Sequence, residues 1–279
     1  MPTSIILLLA PRAALPAGHL GREAQAWFLD QVRQHDPLLS QALHDVQEAK
    51  PYTVSDLYAL PGSEDGQATI FALRITAFSE ALEALVTGAI LPNLPKGLKL
   101  WYGEFQILQV LTRAEQHPWA GSAAYGALMQ AANRLQSKRL ALDFITPTAF
   151  RSDGMDIPLP IPSHIFRGCW QKWNLYAPPA MQMDDSLFEF VRNGLLVESL
   201  ENINTIQITF AGGKRGGATG FTGRVGMAFN QKLRAELAPA EWERQCAMLH
   251  TLALFAYYCG CGHHTTIGLG QAYPSTRNA

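Results

Sequence analysis

Apolar positions along the chain fall into short unbroken runs and into stripes at helical spacing, and the two alternate. Residues 4–12, SIILLLAPR, form an apolar run that stops at Pro11, which predicts a buried first strand. GREAQAWFLDQVRQ follows with Ala26, Leu29 and Val32 at helical spacing and Trp27 and Phe28 beside them. PLLSQALHDVQ reads as a second short helix opening on Pro37, a favourable first helical position. YTVSDLYAL and ATIFALRITAF read as strands separated by the turn-rich PGSEDGQ. SEALEALVTGAI reads as a helix capped by Ser79, and GLKLWYGEFQILQVLTR holds one or two strands. Residues 117–136 are rich in small side chains and read as a connection.

The same order then recurs. RLALDFITPTAF is a strand, PSHIFRGCWQKWNLY a helix and DDSLFEFVRNGLL a second helical piece. TIQITFAG and FTGRVGMAFN are strands flanking a glycine-rich link. PAEWERQCAMLHTLALFAYY is a long helix with Pro239 at its start, Trp242, Cys246, Leu249 and Ala253 on one face, and Gly260 at its end. TIGLGQAYPS is the last strand. The pattern is two successive βαββαβ-like units, an α+β arrangement repeated in architecture and not in sequence. With 279 residues the chain suits two domains, 1–135 and 136–279.

Composition narrows the setting. Charged residues are 16 %, below the roughly 25 % of an average soluble protein, so part of the surface is expected to be covered by a partner. A net charge of -1 means that a polyanion binder would have to concentrate its basic groups locally. Four cysteines are too few for a disulfide-stapled secreted fold, and the chain reads as intracellular, reduced and cytoplasmic. No Lys or Arg precedes the first apolar run, which is too short for a signal peptide, and no stretch reaches the roughly 18 apolar residues of a membrane span.

The stretch GCGHHTTIGLG, residues 260–270, carries the densest candidate chemistry. Glycines at Gly260, Gly262, Gly268 and Gly270 allow positive φ and close backbone approach, and exposed amides there would cradle an anion. Thr265 and Thr266 add hydroxyl donors, His263 and His264 add charge when protonated, and no acidic residue opposes a phosphate. A plain helix-to-strand turn explains the same glycines. Cys259, Cys261, His263 and His264 are too crowded to surround one zinc ion, and no second pair of ligands matches them; no metal or cofactor is expected. GGKRGG places Arg215 where a phosphate-binding loop needs Ser or Thr. Lys214, Arg215 and Arg224 with Phe221 form either a phosphate- and base-binding patch or a solvated hairpin tip. His44 and Lys50 flank the end of the second helix; an imidazole there can move a proton and an ammonium can stabilise phosphate charge, or both are plain surface groups.

Together these pieces resemble one family. GCGHHTTIGLGQ is similar to the C-terminal glycine-rich loop of the CRISPR precursor-RNA processing endoribonucleases, within the repeat-associated RNA-binding superfamily. FTGRVG resembles a second recurring element there, LLSQALHDVQEAKPYTVSDL the N-terminal stretch where some members carry a catalytic His, and LPIPSHIFRGCWQKWN the start of their second domain. The resemblance implies tandem ferredoxin-like, RRM-like domains. It implies a metal-independent cut in a CRISPR repeat by the ribose 2′-OH, leaving a 2′,3′-cyclic phosphate and a 5′-OH. It implies His44 as general base or acid, Lys50 stabilising the phosphate, and residues 260–270 holding RNA backbone. Where some members place a Tyr, this chain has Leu29, and where the loop often has a Lys it has His264. His19, His35 and Arg33 are further candidates. A non-catalytic RNA-binding subunit of a CRISPR effector complex is the alternative on the same fold. A homodimer is a further possible assembly.

Overall fold

The apolar runs pair into two principal sheets. The computed structural model describes residues 1–13, 18–46, 49–60, 69–101, 103–135, 137–152, 154–211 and 217–275. Two units divide the chain: Met1–Ala123 with Ile208–Ala218 and His264–Leu269, and Ala124–Gln207 with Thr219–His263 and Gly270–Ala279. A single cut near residue 135 therefore does not describe the division. Two later segments join the first unit: they pack on each other through Phe210, Ala218, Ile267 and Leu269, and bridge to it at His19–Phe210 and Ser55–Gly268.

The first unit opens with β1 (Thr3–Pro11), α1 (Gly21–His35) and α2 (Pro37–Asp45). Then come β2 (Tyr52–Val54), β3 (Tyr58–Ala59), β4 (Phe71–Ala77), α3 (Glu80–Leu85), β5 (Gly97–Leu100), β6 (Gly103–Leu111) and β7 (Gly121–Ser122). The sheet runs β2-β4-β1-β6-β5, and β1 pairs antiparallel with both β4 and β6. That order of a βαββαβ chain is ferredoxin-like. Ile5, Leu7 and Leu9 of β1 face a core shared with Ala24, Phe28 and Val32 of α1. The buried stripe of α1 thus runs through Ala24, Phe28, Gln31 and Val32, whereas Ala26 faces solvent. The helix turns about a third of the way round from the expected face because Phe28 is the larger anchor against Tyr52, 5.3 Å between ring centroids. Pro37 opens α2 behind the cap Asp36, whose Oδ1 accepts from Leu39 N at 2.9 Å. Ser79 caps α3, its oxygen accepting from Leu82 N at 3.4 Å, and the helix continues as a wider turn over Val86–Ile90.

The second unit contains α4 (Tyr125–Arg134), β8 (Arg139–Thr148), β9 (Phe150–Ser152), β10 (Met155–Ile157), α5 (Pro162–Tyr176) and α6 (Ser186–Gly194). β11 (Leu195–Thr209), β12 (Gly217–Phe229), α7 (Gln231–Glu236), α8 (Pro239–Cys259) and β13 (Ala272–Pro274) follow. The sheet order β11-β12-β8-β13 repeats the first unit's arrangement. The stretch expected as a connection between 117 and 136 contains α4. Tyr125, Leu128 and Ala132 recur at helical spacing and are buried, and small alanines between them are strong helix formers. The last strand is shorter than expected: Thr265–Ile267 forms a single 3-10 turn, and only Ala272–Pro274 pairs with β8. β11 begins earlier than TIQITFAG, at Leu195. The second half of α8 is buried on nearly every side, from Met248 to Cys259, and Gly260 ends it at φ 63°. Among the described residues no helix is long and apolar enough to cross a membrane.

Candidate functional site

Three pieces of the first unit converge on the start of α1. No side chain of the cap residue Leu20 can help, so Asp56, in the link after β2, supplies the acceptor: its Oδ1 takes the Leu20 N–H at 2.8 Å. His19 lies alongside, 9 % exposed, with Nε2 3.5 Å from Asp56 Oδ2 and Nδ1 accepting from Gly21 N at 3.3 Å. Because Nδ1 accepts, the imidazole proton sits on Nε2. The pair is near enough for an ion pair, but burial, aided by Arg22, holds His19 down to about 4. The ring is therefore neutral near pH 7. Burial also pushes Asp56 up to about 6 against two backbone donors.

The segment His264–Leu269 closes on this group. A Cβ on Gly268 would stand 2.5 Å from His19 Cε1 and 2.7 Å from Asp56 N, at φ +99°. A Cβ on Gly21 would stand 2.0 Å from Ile267 O. Neither contact leaves room for a side chain, so both glycines are fixed by approach. Ser55 and Gly268 form a parallel bridge, His19 stands edge-on to Phe210 at 5.5 Å, and the Arg22 guanidinium lies 3.8 Å from the Phe210 ring centroid.

In the second unit, residues 260–263 and Gly270 are tied to the end of β8. Cys261 N donates to Gly270 O at 2.8 Å, His263 N to Ala149 O at 3.0 Å, and Gly270 N to Pro147 O at 3.1 Å. Within the first unit, Ile267 N and Leu269 N both donate to His264 O. With Gly260 N, which donates to Ala256 O at 2.9 Å, six amides of the glycine-rich stretch thus already have protein acceptors, which corrects the expectation of a run of bare N–H groups. His264 sits at φ 61° with its side chain exposed, and Thr266 is half-buried, whereas Thr265, Gly268 and Gly270 are buried. His263 faces Asp156, Nε2 to Oδ1 3.4 Å, and burial lowers its pKa despite that carboxylate. Cys261 turns inward, its sulfur 3.8 Å from that of Cys169.

His44 and Lys50 come together at the end of α2. The Lys50 ammonium donates to the carbonyls of Leu43, His44 and Val46 at 2.5, 3.2 and 2.7 Å, the groups that a helix end leaves unsatisfied. Burial lowers its pKa. The His44 side chain is exposed, although the next residue back, Leu43, is buried. Elsewhere, Arg33 pairs with Asp30 at 2.5 Å, and His35 Nδ1 lies 2.9 Å from Gln31 O. Arg224 is 18 % exposed, with Nε 3.9 Å from Asp143. Lys214 and Arg215 lie outside the described residues.

Comparison with known proteins decides the family. Residues 1–76 match the family model described as the CRISPR Cas6 N-terminal domain, and residues 142–272 match CRISPR-associated endoribonuclease Cas6. The chain belongs to the Cas6 family of CRISPR repeat-processing endoribonucleases. Solved Cas6 structures agree over nearly the whole length. A Cas6 product complex is 28 % identical, with a TM-score of 0.80 and coverage of 99 % of this chain and 100 % of that one. Thermus thermophilus Cas6 is 26 % identical with a TM-score of 0.71, covering 99 % and 98 %. A second Cas6 product complex, 23 % identical with a TM-score of 0.77 and 99 % coverage of both chains, shares the fold. No curated protein matches. The tandem ferredoxin-like fold and the CRISPR RNA endonuclease class expected from the sequence therefore stand.

In the first unit Asp56, with Arg22 and Phe210 beside His19, and in the second Asp156 opposite His263, are contacts that the sequence does not single out. Asp56 is 36 positions from the amide it caps, and no local spacing announces a capping residue contributed from another element.

Proposed function

We propose that this Cas6 chain binds CRISPR repeat RNA and cuts it without a metal ion. The 2′-oxygen upstream of the scissile phosphate attacks that phosphorus, the bond to the 5′-oxygen breaks, and the products carry a 2′,3′-cyclic phosphate and a 5′-OH. His44 takes the 2′ proton or returns one to the leaving oxygen. The observation that carries this reading is an exposed imidazole on a helix end that Lys50 holds rigid through three carbonyls. Lys50 brings its positive charge to the same turn; with its three N–H groups already given to carbonyls, it acts on the developing phosphorane through its charge and not by a hydrogen bond. Among the reserve candidates, enclosed and neutral His19 fits a positioning role toward Gly268, and His35 and Arg33 are engaged within α1. RNA is held by His264 and Thr266 of the glycine-rich stretch, by Arg224, and by Lys214 and Arg215. Low surface charge supports a further partner, either an effector complex or a second copy of the chain.

The test is incubation with repeat RNA in EDTA, with the product ends analysed. Cyclic-phosphate ends that form in EDTA and vanish in His44→Ala support the reading. Tight binding with no cut supports the non-catalytic subunit, and a cut abolished by EDTA overturns metal independence.

A further inference from the structure

A cavity of about 760 Å³ opens between α5 and α6, wholly within the second unit. Its size lies in the range of about 300–1,000 Å³ typical of small-ligand sites. Helical spacing builds it: His164, Arg167 and Gln171 share one face of α5, and Phe188 and Arg192 share the facing side of α6. Among the described residues neither the Arg167 nor the Arg192 guanidinium is held in an ion pair, although both side chains are exposed on the cavity wall. The same wall carries a fixed aromatic pair. Trp170 and Phe188 meet edge to face at 4.7 Å, and Trp170 Nε1 donates to Met183 O at 3.0 Å, which locks the indole.

The acidic groups on the same wall narrow the ligand. Asp185 and Glu189 balance the two arginines, and Glu189 Oε1 accepts from Asn193 at 3.2 Å. A bare phosphate would gain little from a wall of zero net charge. A nucleotide suits it: guanidinium groups for the phosphate, an aromatic face for the base, and carboxylates for ribose hydroxyls or an exocyclic amine. The cavity also adjoins the glycine-rich stretch through packed groups of the second unit. His164 stacks on Phe150 at 5.7 Å, and Ala149, the residue before it, accepts the His263 amide at 3.0 Å.

We propose that this cavity is a subsite for one unpaired nucleotide of the RNA strand, outside the repeat's cleavage point. The inference rests on the RNA-cutting reading above. The test compares the full-length chain with the double variant Arg167→Ala/Arg192→Ala on two RNAs, a repeat with an unpaired flank and the same repeat trimmed of it. The expected result is a loss of about tenfold or more in affinity for the flanked RNA, since each charge-assisted contact is worth about that much, and an unchanged affinity for the trimmed one. Photo-crosslinking from a 5-iodouridine in the flank to Trp170 would place the nucleotide directly. Equal affinities of variant and wild type for the flanked RNA, or equal losses on both RNAs, would overturn the subsite. Crosslinking to Trp170 that free adenosine monophosphate abolishes, with no affinity lost on trimming, would assign the cavity to a free nucleotide and overturn the strand assignment. Failure of the wild type to bind either RNA would overturn the broader reading, and is distinguishable from these outcomes.

Discussion

Each unit carries a pair of helices after its central strand, directly after β1 in the first and after the β9–β10 hairpin in the second, and the two pairs end differently. In the first, the short α2 finishes in open carbonyls that Lys50 gathers, leaving His44 exposed at the tip. In the second, α6 turns a face lined with Phe188 and Arg192 toward Trp170 and Arg167 of α5 and leaves a cavity between them. The order β11-β12-β8-β13 matches β2-β4-β1-β6 of the first unit, which adds β5 at its edge. The βαββαβ frame therefore dictates where an added helix goes, and the residues on that helix decide whether the place becomes an exposed tip, for which we propose the reactive role, or a recess.

The comparison breaks most visibly at the reactive tip. His44→Ala is expected to slow the cut about a hundred- to ten-thousand-fold in single-turnover kinetics, with RNA affinity retained. Arg167→Ala should leave the rate at saturating RNA unchanged. Equal slowing by both would erase the proposed division between the helix pairs.

Glycines supply the next contrast. At Gly268 an added methyl meets His19 and the Asp56 amide at positive φ, so Gly268→Ala should lower unfolding free energy by about 2–4 kcal/mol in urea titrations. A variant as stable as wild type would show that the loop does not press on His19.

The His19–Asp56 pair yields a smaller effect whose sign is fixed. His19, held at about 4 against 6.5 by burial, makes stability fall as pH drops from about 6.5 to about 4. Asp56, pushed to about 6 against 3.8 by burial, makes stability fall as pH rises from about 3.8 to about 6. Between about pH 4 and 6 the two slopes oppose, so the pair contributes little net dependence there. His19→Gln removes one slope and should make the protein gain up to about 1.4 kcal/mol per pH unit on acidification through that window. An unchanged profile, read from urea midpoints, would refute the linkage. The smallest effect is Gly168→Ala on α5, where an added Cβ meets nothing within 4 Å. It should raise stability by about 0.5–1 kcal/mol, detectable as a higher melting temperature; a loss would mean that the open space is needed.

Much of the fold was legible because its signals are local. Pro11 stops β1, Pro37 and Asp36 start α2, and Ser79 starts α3, each through the backbone groups next to it. The helix at Tyr125–Arg134 was missed because alanine and glycine dilute the apolar stripe that marks a helix. The face of α1 was misjudged because the sequence shows which residues are apolar and not which one meets Tyr52. At the candidate site, His44, Lys50 and the glycine-rich stretch stand out by residue type, whereas Asp56 does not, because its partner amide is 36 positions away.

The sequence alone determined the repeated strand and helix order, the helix starts and stops, and the family, since each depends on neighbours a few residues apart or on a contiguous motif. The tertiary structure decided what residues 264–269 touch, why His19 is neutral, and which cavity Arg167 and Arg192 line together. Burial, desolvation and close approach are properties of groups brought together from distant positions, and no spacing along the chain encodes them.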